Sequence, residues 1–564
     1  MARGAGRGSA LLLAIKPAMG SKMTRLWCVL AAIVACSMPA SAQVGEQSTA
    51  SDWPTWGYDQ QRSGWNSAEK TLSKQNVGRL KLLWTAQIPT PLRATSLSTL
   101  SAPIVVSGVP TPDGRKDIVF TIGIDDTVYA VDAATGKIIW QKNFPNTLTP
   151  VRPATVNCAN TEQATPVADK ERGVLYVTTS DGMLRGLNLA DGANRLRPAQ
   201  MVAPFSRNWS LNSVGNIVYT AAGRGCGGSK AQPIEPGNVA AMNVTDLDHP
   251  ALSVFYTGVS RPAGPWGGGG PVLGPQGLYV ETADGPNNPG AGVYGNSVLA
   301  VRPNAWGLKD SFVPPNWRYL NAKDLDLGSG GPIIFTAGTR TLVAAAGKES
   351  VVYLLDAQNM GGQDHSTALY TSLRLGNDEQ TYWGHGVWGG MTAYRAPGGD
   401  QYLYIPMWGP PAKDGPKYPL KYGDAPNGSI MAFKIAAQGD SVVMTPAWIS
   451  RDLDPAAPPV VANGVLYALQ AAEHTSQHPN NPEGHGRPVN GAPAPTEMEL
   501  GTFRTTPNST MTLFALDAET GKELWSSRRA MAGNTAHFTE PVVAAGKLFV
   551  VDHNAHLFAF GLPR

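Results

Sequence analysis

The sequence predicts an all-β fold, an eight-bladed β-propeller of four-stranded antiparallel blades closed by pairing of its N- and C-terminal strands. Three observations carry that expectation. The first is a recurring phrase: VYAVDAATGKIIW at 128–140 returns as LFALDAETGKELW at 513–525. Weaker copies at 183–196, 238–255, 297–312, 351–362 and 429–440 extend the series to seven. A strand, an Asp…Thr-Gly turn and a second strand ending in Trp cannot bury an apolar face alone, so such units need stacked neighbours. The second observation is the segment before each phrase, as in TPVADKERGVLYVTTSDG at 165–182 and EPVVAAGKLFVVDHNA at 540–555. Val, Leu, Tyr and Thr alternating between turn residues read as short strands, roughly four per repeat. The third is a pair of loose ends, LKLLWTA at 80–86 and HLFAFGL at 556–562. Joined in one sheet, they close the ring at eight blades and remove free sheet edges.

The spacing supports one toroid with two insertions. The residue at the Asp132 position reads Asp132, Asn188, Asn243, Arg302, Asp356, Lys434 and Asp517, giving steps of 56, 55, 59, 54, 78 and 83 residues. The last two steps are long enough to hold extra loops. No linker or low-complexity stretch divides the 564 residues, and Gly 63 and Pro 46 supply the many turns. Lys+Arg 45 against Asp+Glu 42 leaves +3, too slight and too scattered for a nucleic-acid surface.

The N-terminus reads as a targeting segment. Arg25 precedes an apolar stretch at 26–35, and Ala40-Ser41-Ala42 offers a cleavage site before Gln43. The expected organisation is an extension and signal peptide at 1–42, an N-terminal arm at 43–79 and the propeller at 80–564. The expected location is periplasmic or secreted. Ile33-Val34-Ala35-Cys36 also resembles a lipidation box, so a lipid anchor on Cys36 is the alternative. No further segment is long and apolar enough to span a bilayer. Export leaves Cys158 and Cys226 in an oxidising compartment, where they form either one disulfide or two separate buried thiols. No Cys-x-x-Cys-His occurs, so no covalent haem is expected.

The Ala-x-Asp-x-x-Thr-Gly-Lys-x-x-Trp phrase, the opening WPTWGYDQQRSGWN at 53–66 and the run DLDLGSGGP at 324–332 resemble the pyrroloquinoline quinone (PQQ) propeller family from about Trp53 to Leu562. That family includes alcohol and polyvinyl-alcohol dehydrogenases, and also propellers without cofactor, such as the lipoprotein of outer-membrane barrel assembly. The resemblance implies the fold more strongly than the activity. It makes Trp140 and Trp525 packing residues between blades.

For the dehydrogenases, the resemblance implies a site at one mouth of the central channel. Trp266 stands 13 residues before Tyr279, the family's spacing for the indole that stacks on the quinone; a Trp that merely caps a blade is the alternative. Asp284 falls where the family has a metal-binding Asn, and a carboxylate is a hard oxygen ligand for Ca²⁺ or a lanthanide. Lys348 falls where a cation contacts the quinone oxygens, with a solvated loop Lys as the alternative. Two positions depart from the pattern. The loop expected to offer a metal-binding Glu reads YTAAGRGCGGSK at 219–230, with Gly225 and Cys226 and no carboxylate, and Glu235 is the nearest substitute. The general base is expected at the fourth marker, which is Arg302 and cannot accept a proton from an alcohol.

The family's vicinal cysteines are reduced to Cys158-Ala159, so the expectation becomes a Cys158–Cys226 disulfide lining the pocket. His385 and His537 precede strands at the expected mouth and are the substitute bases. His474, His478 and His485 crowd a polar insertion that reads as a solvated loop rather than a metal site. Two function classes remain. One is a PQQ-dependent oxidoreductase with a divalent or lanthanide cation, passing electrons to a separate cytochrome or other acceptor. The other is a non-catalytic propeller holding envelope proteins or polysaccharide.

Overall fold

Regularly spaced strand signals become a ring of blades. The computed structural model describes residues 52–563, apart from 95–97, 163, 224–225, 260–262, 381–383, 440, 475–495 and 537. The proposed signal segment, Cys36, His478, His485 and His537 lie outside the described residues. The described chain forms eight four-stranded antiparallel blades, some extended by short extra strands. Their first strands, numbered here as blades 1 to 8, are Ile104–Thr111, Val167–Asp169, Asn212–Val214, Val272–Gly274, Ile333–Ala337, Thr392–Arg395, Val460–Ala462 and Val542–Ala544. The ring closes as the loose ends predict. Lys81–Gln87 pairs antiparallel with His556–Gly561 in blade 8, placing Trp84 opposite Ala559 and Thr85 opposite Phe558.

The repeat phrase has two structural jobs. Its Asp or Asn caps the turn between the third and fourth strands. Asp132 Oδ1 accepts from the amides of Ala134 and Thr135, Asn188 Oδ1 from Ala190, and Asp517 Oδ1 from Glu519 and Thr520. Such Asx turns satisfy backbone donors that the tight turn would otherwise strand. Its Trp then staples neighbouring blades. Trp140 lies on the Gly192 turn of the next blade, where an added Cβ would stand 2.8 Å from the indole, and Trp140 Nε1 donates to Leu189 O at 3.0 Å. Trp84 over Gly136 and Trp448 over Gly521 repeat the arrangement, with indole donations to Ala133 O and Ala518 O. Trp525 donates in the same way to Leu80 O.

The arm is an integral axial element rather than an appendage. From Trp53 to Asn66 its hydrogen bonds visit the blades in ring order. Trp53 exchanges backbone bonds with Val105 of blade 1, and Pro54 O accepts from Ala168 of blade 2. Thr55 Oγ1 donates to Leu211 O beside blade 3, while Gln60 O, Gln61 O, Ser63 O and Gly64 O accept from Leu273, Ile334, Ala393 and Val461 of blades 4 to 7. Asn66 Nδ2 completes the circuit on Val543 O of blade 8. Trp53, Arg62 and Glu540 are buried in this hub. Glu540 Oε1 accepts from Trp53 Nε1 and Gly57 N, and Arg62 donates to Thr55 Oγ1, Trp56 O and Leu211 O. Buried polar groups are tolerated here because the hub gives them hydrogen-bond partners.

Candidate functional site

Strand direction decides which residues can meet. In each blade the second strand ends on the face where the next blade's first strand begins, whereas the third strand ends on the opposite face. Asp284 follows the second strand of blade 4, Gly277–Thr282, and Lys348 follows that of blade 5, Arg340–Ala346. Asp324 and Asp326 lie in the loop entering blade 5, so all four share one mouth. Arg302 follows the third strand of blade 4, Val298–Val301, and is on the other face. The expectation that the marker position supplies the general base is therefore corrected: markers cap turns away from the mouth.

The mouth holds a compact group of charge. Ligand-capable carboxylate oxygens of Asp284, Asp324 and Asp326 lie within 4.8 Å of one another. The Asp284 amide donates to Asp326 Oδ1 at 2.7 Å. Lys348 Nζ pairs with Asp326 Oδ2, lies 3.5 Å from Asp324 Oδ1 and donates to Asp324 O at 3.1 Å. The Lys348 and Asp326 side chains are 3% and 0% exposed, so neither charge has bulk water to compensate it. Gly347 permits this approach, since a Cβ there would stand 2.2 Å from Asp326 O. Asn377 Nδ2 holds Lys348 O at 2.5 Å.

Aromatic rings surround the group. Lys348 Nζ lies 5.1 Å from the Trp388 ring centroid, and Trp388 stacks on Trp408 at 5.3 Å. Phe538 touches Trp209, Trp266 and Trp388 at 5.4, 6.5 and 6.4 Å between centroids. Trp266 is buried, and the Asp326 loop packs directly on it: a Cβ on Gly328 would stand 3.0 Å from the Trp266 Cβ. The guanidinium of Arg207 lies 4.4 Å from the Trp266 centroid and 5.0 Å from that of Trp209. Arg207 also donates to Asn157 O at 3.2 Å, the same carbonyl that Cys226 Sγ contacts at 3.3 Å. Cys158 and Cys226 are joined by a disulfide, 68 residues apart in sequence.

The remaining candidates are separate from the acidic group. Glu235 is half-buried, its carboxyl raised by burial, and it is not among the three clustered carboxylates. His385 packs its ring against Gly409, where a Cβ would stand 2.7 Å away, and its carbonyl accepts from Trp388 Nε1. Burial lowers the His385 imidazole below its ordinary value, which keeps it neutral near pH 7. His474 stacks on Phe503 at 3.9 Å. Asp324 and Asp326 lie outside the ligands that the sequence resemblance implies, and their Asp-x-Asp spacing before a Gly-rich turn is the signal that points to them. Nothing in that run alone says that it crosses the end of blade 4 and meets Asp284.

Comparison with known proteins agrees with the propeller fold. Residues 53–197 match the PQQ family model, described as the β-propeller domain of glucose, ethanol and alcohol dehydrogenases. The quinohemoprotein alcohol dehydrogenase ADH-IIG of Pseudomonas putida is 25% identical over 266 residues, covering 45% of this chain but 33% of that protein. The chain thus aligns with only a third of that relative's length. The solved structure of ADHIIG from Pseudomonas putida HK5 superposes with TM-score 0.56 at 15% identity, covering 91% of this chain and 80% of the other. A europium-containing methanol dehydrogenase superposes with TM-score 0.59 at 13% identity, covering 92% and 99%. The chain is similar to the PQQ-like β-propeller family, through the family-model match at 53–197 and the shared propeller fold. Among the described residues no helix is long and apolar enough to cross a membrane.

Proposed function

We propose that this chain is an exported, PQQ-dependent oxidoreductase acting on alcohols or polyols, with an atypical acidic site. The observation that carries this reading is the juxtaposition of three carboxylates and a buried lysine against Trp266. The donor set fits a hard cation, Ca²⁺ or a trivalent lanthanide, through oxygen ligands alone. Asp284 and one carboxylate of the Asp324–Asp326 pair would hold the cation, leaving the other carboxylate to accept a proton, while Trp266 would carry the flat ring and Lys348 would face the quinone oxygens. When bound, PQQ accepts the electrons of alcohol oxidation. The chain's own part is to orient the alcohol, exclude water with its aromatic wall, and take the hydroxyl proton on a carboxylate of the Asp324–Asp326 pair, held in place by Lys348. With His385 outside the acidic group, a carboxylate is the better-placed acceptor. Electrons would leave through a separate cytochrome or comparable acceptor.

A second reading is a binding propeller without redox chemistry. It is favoured by Arg207, whose guanidinium lies over the same indole that would receive the quinone. One titration separates the two. Purified protein is mixed with PQQ and Ca²⁺ or a lanthanide while quinone absorbance and tryptophan fluorescence are followed. Saturable binding lost in Trp266→Ala, with dye-linked alcohol oxidation abolished by Asp326→Asn, supports the oxidoreductase. Absence of binding at micromolar PQQ leaves the second reading.

A further inference from the structure

Four blade boundaries share a packing rule that the boundary between blades 3 and 4 reverses. At regular boundaries the strand Trp pairs across from a small residue, Ala130 opposite Trp140 and Ala515 opposite Trp525, and the indole then covers the next blade's turn. In blade 3 the matching position opposite Ala241 is Ser253. In blade 4 the Arg302 amide donates to Gly307 O just as Asp132 donates to Lys137 O, which puts Trp306 where blade 1 has Gly136. Indole and small residue have changed sides. Trp306 Nε1 reaches back to Ser253 Oγ at 2.6 Å, yet Trp306 is 75% exposed. A half-buried staple has become a displayed ring.

The same turn lines an open groove of about 810 Å³ on the face opposite the acidic group. Its walls include Gln276, Arg302, Asn304, Lys309 and Gln358, and Trp306, on the same turn, stands outside that lining. Both charged side chains in that lining are cations, and three others are amides. Arg302 stands where five other blades keep a turn-capping Asp or Asn. The neighbouring carboxylate, Asp310, accepts from the Met360 amide at 2.8 Å and from Gln276 Nε2 of the groove wall at 3.5 Å, and lies 3.4 Å from His365 Nδ1.

We propose that this groove is a binding site for an acidic polysaccharide, with Trp306 as a stacking platform. The negative face of an indole suits the C–H face of a sugar ring, while its N–H end stays fixed on Ser253. Gln276, Asn304 and Gln358 provide donors and acceptors for ring hydroxyls. Arg302 and Lys309 pair with carboxylates on successive sugars. An acidic peptide would use the cations but has no regular need of the ring, and this difference defines the test.

The full-length chain is titrated with polygalacturonate, with dextran and polyglutamate as comparison polymers, and tryptophan fluorescence or calorimetry reports binding. Saturable binding to polygalacturonate is expected, with dextran weaker. Trp306→Ala should weaken it about tenfold, and the double variant Arg302→Glu with Lys309→Glu should abolish it. Thermal melts of both variants should match the parent, which separates a lost contact from a lost fold. Polygalacturonate binding unchanged in Trp306→Ala, absence of binding, or equal affinity for polyglutamate would overturn the proposal, the last in favour of an acidic peptide. The result does not depend on whether PQQ is bound at the other mouth.

Discussion

The boundary between blades 1 and 2 and that between blades 3 and 4 contain the same two parts in opposite arrangement. In the first, Trp140 comes from the strand and Gly192 from the turn, and the indole is partly covered by both blades. In the second, Ser253 comes from the strand and Trp306 from the turn, and the indole faces solvent. Each indole keeps a hydrogen bond, Trp140 to Leu189 O and Trp306 to Ser253 Oγ, but only the first keeps its burial. An indole N–H bond contributes modestly, whereas area removed from water supplies most of a tryptophan's packing energy. A conserved-looking contact can therefore hold two blades together at one boundary and merely orient an exposed ring at another.

The sharpest way to extend this contrast is to add a boundary held by charge. Asp326→Ala leaves the Lys348 ammonium buried without its closest carboxylate and should destabilise the chain by about 3–5 kcal/mol, read from urea unfolding. The comparison itself is tested by Trp140→Ala, expected to cost about 3 kcal/mol, against Trp306→Ala, expected within about 0.5 kcal/mol. Equal losses at the two sites would remove the distinction. Gly192→Ala should lie between them, about 1–2 kcal/mol, because φ is +71° and the new Cβ would press on the Trp140 ring.

The axial hub adds a pH dependence of its own. Burial pushes the Glu540 carboxyl from 4.5 up to about 8, despite the donors from Gly57 and Trp53. The folded chain thus retains a proton that the unfolded chain has released between those values. Its stabilising effect is full below about pH 4.5 and is lost as pH rises through about 8. Melting temperature should fall across this window, and Glu540→Gln should flatten that component. The smallest expected effect is at the mouth's outer candidate: His385→Ala should leave alcohol oxidation within about twofold, because the proton acceptor is assigned to the carboxylate pair. A loss of 10²-fold or more would move that role to His385.

The fold was legible because a repeat carries its own packing instructions. The Asp turn, the Gly and the Trp recur at the same offsets in the two clearest copies, so those blades announce both their hairpin and the neighbour that they need. Trp84 and the 556–561 strand announced the closing sheet in the same way. The pairing of Cys158 with Cys226 was also accessible once both were placed in mouth loops. The resemblance to the PQQ family points to Asp284, Lys348 and Trp266, and the structure brings them to one mouth. Asp324 and Asp326 were passed over because the base was sought at the marker, where Arg302 stands. That error follows from strand polarity: a residue after a third strand cannot be at the mouth reached after a second strand.

Sequence by itself determined the eight-bladed ring, since periodic apolar strands and turn residues leave no other way to bury every blade face. The arm's circuit of the axis, the meeting of Asp284 with Asp324, Asp326 and Lys348, and the outward placement of Trp306 were decided only in three dimensions. Each depends on which ends of different blades converge, and that is set by ring closure rather than by any local run of residues.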